Sequence, residues 1–166
     1  MKKFCLITAT AVFLFLSFSG GIQGQNISSN LDQPKLMLQF MGKWQANVGK
    51  DTSEVWDCQV YGKAFTSDVY QLTKGHKTPS YTNNISYGPK EGKFMGFQLN
   101  AAGGYGTWIG SFTSDKKIEG IMTQNFNPEP AYGKFEIVFK NLNEFTFSTF
   151  NPEGAKTSEL QYVKLK

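Results

Sequence analysis

From Trp44 to the C-terminus, apolar residues recur at every second position in runs of about 6–10, and each run is broken by Gly, Pro, Asn or Asp. Trp44, Ala46 and Val48 alternate with Gln45 and Asn47, and Trp56, Cys58 and Val60 with Asp57 and Gln59. Phe135, Ile137 and Phe139 alternate in the same way with Lys134, Glu136 and Lys140, and Phe145 and Phe147 with Glu144, Thr146 and Ser148. A two-residue period puts one set of side chains on each face of a strand, so these runs predict half-buried β-strands. The connections between them are short, as in Gly88-Pro89-Lys90-Glu91-Gly92 and Asn151-Pro152-Glu153-Gly154. None has room for the crossover that parallel strands need, so consecutive strands are expected to be antiparallel neighbours. The count is about ten short strands, the last over Glu159 to Lys166, at roughly one per dozen residues. An open meander of that size exposes two sticky edges, and closure removes them. The expected fold class is therefore all-β: a single antiparallel up-and-down barrel preceded by a short helix and a cleavable signal peptide.

The segment before the barrel divides in three. Met1-Lys2-Lys3, an uncharged apolar run from Phe4 to Phe18 and small residues from Ser19 to Gly24 have the pattern of an export signal over 1–24, cut between Gly24 and Gln25 or near Gly21. The run is short for a bilayer span of roughly 20 residues, and Cys5 lies at its start, not in the lipoprotein position after it. Export to the periplasm or outside the cell is expected, with no membrane anchor after cleavage. Residues 25–34 read as a flexible arm. Pro34 suits a helix start, Leu36/Phe40 and Met37/Met41 pair four apart, and Gly42 closes a plug-like helix, so the barrel domain spans 35–166.

Composition narrows the chemistry. All 17 basic residues are lysines, two of them in the signal segment, and there is no arginine fork for phosphate or guanine. With the lysines dispersed, nucleic acid is not an expected partner. One histidine, His76, lies in the polar stretch Lys74 to Pro79, and Cys58 stands alone once Cys5 is removed. That leaves no triad, no metal-ligand set and no internal disulfide, and neither cofactor nor metal is expected. Cys58, between Trp56 and Val60 on one strand face, reads as a small buried residue. Glu54, Asp57 and Asp68 come from neighbouring strands, but Glu54 and Asp57 differ by an odd offset and point to opposite faces. In Ala101 to Gly106 the glycines suit positive-φ turns and leave room for Trp108, with no helix or lysine to make a phosphate cradle.

The Gly42-Lys43-Trp44 motif between a short helix and the first strand resembles the calycin superfamily, whose lipocalins and fatty-acid-binding proteins carry Gly-x-Trp at that point. Over about Lys35 to Lys166 the chain looks most like lipocalin-like domains of bacterial exported proteins. The resemblance implies a barrel that binds a small, mostly apolar molecule without catalysis. In lipocalins proper an arginine of the last strand packs over the motif tryptophan; here Lys164 or Lys166 would take that place. Relatives that bind haem use a histidine, which His76 in a loop does not suit.

The candidate interior residues are Trp56, Met95, Phe97, Trp108, Met122, Phe126, Phe135 and Phe147, of which Trp56, Met95, Phe97, Trp108 and Met122 are taken as ligand-binding. Two rival expectations stand beside this one. An isomerase or hydrolase would use interior groups such as Asp68 and Tyr70, and a protein-interaction module would use outer aromatics such as Phe94 or Tyr132. Oligomeric state is not legible.

Overall fold

The computed structural model describes residues 31–166 and is mostly sheet. The signal segment and residues 25–30 of the expected arm lie outside the described residues. A short helix α1 (Gln33–Met37) runs into a 3₁₀ turn (Leu38–Phe40), followed by ten strands: β1 (Gly42–Gly49), β2 (Thr52–Tyr61), β3 (Ala64–Thr73), β4 (His76–Gly88), β5 (Lys93–Asn100), β6 (Tyr105–Ser114), β7 (Lys117–Thr123), β8 (Gly133–Asn141), β9 (Glu144–Phe150) and β10 (Lys156–Lys164). Each strand pairs antiparallel with the one before it, and β10 pairs β1, giving a closed barrel. The closing seam is the shortest, with Trp44 opposite Lys164 and Gln45 opposite Val163, extended by the Leu165 amide donating to the Lys43 carbonyl at 2.8 Å.

The helix starts earlier than its apolar spacing implies, and Gln33 and Pro34 belong to it, not to the arm. Asp32 caps it by accepting the Lys35 amide at 3.2 Å, and Pro34 sits in the first turn, where a missing N–H costs nothing. Gln33 is only 2% exposed. Its Nε2 donates to the Phe112 carbonyl at 2.9 Å and its Oε1 accepts the Phe112 amide at 2.7 Å. Phe112 lies beyond Phe94–Gly110, the last pair on that side of β5 and β6, so the glutamine amide stands in for a missing strand partner. This clasp seats the helix across one end of the barrel.

That end is solid. The Trp44 indole N–H donates to the Phe40 carbonyl at 2.6 Å, Phe139 and Phe145 flank its ring at centroid distances of 6.2 and 4.8 Å, and the Phe40 ring packs 4.8 Å from Phe139 and 5.6 Å from Phe145. The Lys164 ammonium lies 5.0 Å from the Trp44 ring centroid, so Lys164, not Lys166, covers the motif tryptophan.

Higher in the barrel, glycines make room for large rings. A Cβ on Gly96 would lie 1.9 Å from the Trp108 ring, and one on Gly120 would lie 2.3 Å from Phe135. Trp108 thus packs on Gly96 of the adjacent strand; Gly103 and Gly104, at φ +93° and +82°, serve only the β5–β6 turn, as their spacing predicts.

Four expectations about facing need correction. Met95 and Phe97 point outward: on β5 the inward set is Phe94, Gly96 and Gln98, opposite Tyr87, Ile85 and Asn83. Phe94, expected outside, is fully buried in the core. Phe126 lies past the end of β7 at φ +60° and 36% exposure, because the chain leaves the sheet at Gln124. Asp68 and Tyr70 are not interior. Asp68 is exposed opposite Asp57, whose carboxylate pairs with Lys43 at 3.2 Å. Tyr70 pairs with Val55 on the outer face beneath the Lys77 ammonium.

Candidate functional site

Between the solid end and the opposite rim the inward side chains leave a cavity of about 120 Å³. Its floor is Met37, Phe40 and Met41 from the helical plug, and its wall includes Trp56, Trp108, Met122, Phe135 and Phe147. Three of the five expected ligand-binding residues, Trp56, Trp108 and Met122, therefore meet around one space. Met95 instead lines an outer groove with Ile109 and Ile121, and Phe97 stacks on Tyr105 at 5.6 Å. Phe135 and Phe147, expected inside, are also in the wall, and the two rings stand 6.3 Å apart with Trp56 5.4 Å from Phe147.

The wall is not wholly apolar. Ser67, Tyr81, Asn83 and Gln98 contribute polar atoms to it. The Trp108 indole N–H points at Asn83 Oδ1, 3.4 Å away. Cys58 also lines the cavity, and its thiol donates to Ser67 Oγ at 3.4 Å. Burial pushes that thiol up to about 11, so it is a neutral wall atom at ordinary pH, in keeping with the small buried residue read from the sequence.

Glu54 is the chemically distinctive group. Two residues along β2 from Trp56, it shares that inward face, whereas Asp57 faces out as the odd offset requires. Glu54 Oε1 accepts the Trp56 indole N–H at 2.8 Å and the Tyr162 hydroxyl. Tyr162 is fully buried, stacked on Phe145 at 4.8 Å and tilted against Trp56 at 4.7 Å. Burial, reinforced by the Glu54 charge, holds the Tyr162 phenol well above its ordinary range; the same causes act, with a smaller part from Cys58, on Tyr81. Both phenols therefore stay protonated, and Tyr162 donates its hydroxyl to Glu54. Among the described residues no cluster of three His, Cys, Asp or Glu side chains is placed to hold a metal.

The polar wall was not expected from the sequence. Glu54, which is not among the residues lining the cavity, was detectable as inward-facing, since it keeps step with Trp56 and Cys58. Asn83 and Gln98 carry no such signal, because a polar residue on an alternating strand reads as facing water.

No protein-family model matches the chain, and no curated protein matches it.

Proposed function

We propose that the chain is an exported, lipocalin-like barrel that holds a small, mostly apolar molecule inside and acts as a binder, not a catalyst. The observation that carries this reading is the cavity of about 120 Å³, walled by Trp56, Trp108, Met122, Phe135 and Phe147 with a few convergent donors and acceptors. Aromatic walls with sparse polar groups are the usual make-up of a small-molecule site. Its volume is below the roughly 300 Å³ at which drug-sized pockets begin and near the ~150 Å³ that accepts a benzene ring, so the occupant is about one ring in size. The helical plug supports one-sided access, because it seals the end that Trp44 and its neighbours already fill. The signal-like N-terminus supports a periplasmic or secreted place of action. The reading is tested by native mass spectrometry of the protein purified from its own source. A stoichiometric small lipophile released on denaturation is the expected result. An empty protein that also fails to take up single-ring probes overturns the reading.

A further inference from the structure

Building on that cavity as a ligand site, we propose that it selects an uncharged ring bearing a carboxamide-like head, with one acceptor and one donor, and turns away the matching anion and cation. Three observations lead there.

The first is a polar row in the wall. Ser67, Asn83 and Gln98 stand opposite one another across β3, β4 and β5, and Tyr81 lies two residues from Asn83 on the same face of β4. All four line the cavity, whereas the lining residues from β7, β8 and β9 are all apolar, Met122, Phe135 and Phe147 among them. Because β7 to β9 and β3 to β5 are separate arcs of the barrel, the wall has a polar sector and an apolar one.

The second is hydrogen-bonding capacity that the protein leaves unused. Asn83 Oδ1 accepts the Trp108 indole N–H at 3.4 Å, and Gln98 Nε2 donates to Asn100 Oδ1 at 2.8 Å, so each amide has spent one half of itself. Asn83 Nδ2, Gln98 Oε1 and the Tyr81 hydroxyl have no partner among the described residues, while no buried side-chain nitrogen or oxygen there goes unpartnered, so all three atoms are accessible. A donor, an acceptor and a hydroxyl that can be either are thus left over on neighbouring lining residues.

The third is charge. No Asp, Glu, Lys or His is among the lining residues, and the chain has no arginine. An ionic ligand would lose its water and gain no counter-charge from the wall. A neutral carboxamide has no such cost: its carbonyl can accept from Asn83 Nδ2 and the Tyr81 hydroxyl, its N–H can donate to Gln98 Oε1, and its ring can lie against Met122, Phe135 and Phe147.

The test is a titration at pH 7, followed by the amide resonances of the protein, with four probes of one shape: benzamide, benzoate, benzamidine as its cation, and acetophenone, which accepts but cannot donate. Benzamide is expected to bind at least about tenfold more tightly than either ion and about fivefold more tightly than acetophenone. In Gln98→Met benzamide should fall to within about twofold of acetophenone, whose own affinity stays as it was. Tyr81→Phe removes a hydroxyl that no described protein group uses, so it should weaken benzamide about fivefold without lowering the urea midpoint. If any of the other three probes binds as tightly as benzamide, this selection is overturned and the cavity reading survives. If none of the four binds, both are overturned. The wild-type ranking decides the matter even if a variant does not fold.

Discussion

The indole of Trp108 lies directly over Gly96 on the neighbouring strand, leaving no room for a side chain of any size at that glycine. The cavity wall thus depends on a residue with no side chain, and the arrangement has a measurable cost when disturbed.

Gly96→Ala places a methyl group where the ring now lies. Trp108 must leave its position, and overpacking of this kind costs about 1–3 kcal/mol. The expected result is a lower urea midpoint and a shifted tryptophan emission. Gly106→Ala on the next strand is the control: a Cβ there meets nothing within 4 Å, so stability should stay within about 0.5 kcal/mol of wild type.

Gln33→Ala removes both hydrogen bonds to the Phe112 peptide and leaves a buried N–H and C=O without partners. A loss of about 2–4 kcal/mol is expected from urea unfolding, large for a polar residue outside any strand. Hydrogen exchange should become faster in the Phe112 amide in particular.

Tyr162→Phe keeps the ring stack on Phe145 but deletes the donor to Glu54. Losing a hydrogen bond to a charged acceptor should cost about 1.5 kcal/mol in the same measurement. Tyr162→Leu also gives up packing against Phe145 and Trp56 and should cost more.

The raised Cys58 thiol gives a pH signature. The folded value of about 11 exceeds the ordinary 9.0, so above pH 9 the unfolded chain loses this proton more readily than the folded one. The stabilising contribution is complete below pH 9 and fades as pH rises toward 11, by about 2–3 kcal/mol in all. At pH 8 the thiolate fraction falls about a hundredfold on folding, so labelling by a disulfide reagent should be at least that much slower in native protein than in urea.

The fold was legible wherever one face of a strand is apolar and the other charged. Strands β8 and β9 show this best: Phe135, Ile137, Phe139, Phe145 and Phe147 all face inward as their alternation predicts. Strand β5 misleads because both of its faces carry apolar residues. Met95, Phe97 and Leu99 form the more hydrophobic set, yet they face outward, since the interior needs Gly96 beneath Trp108 and Gln98 in the cavity wall. Tyr70 misleads for another reason: a register shift after Val69 and the cover from Lys77 bury it on the outer surface. Gln33 was hidden because its burial is earned by a partner 79 residues away, which no local pattern records. The aromatic half of the candidate site could thus be read from the sequence, and the polar half depends on which strand faces which.

The seam between β1 and β10 ties the start of the cylinder to its finish. A chain emerging from a ribosome cannot seal until β10 is out, and until then both borders of the growing sheet offer unsatisfied peptide groups to any neighbouring chain. Loss of the β10 residues that pair with β1 would therefore unlatch the whole wall instead of trimming an edge.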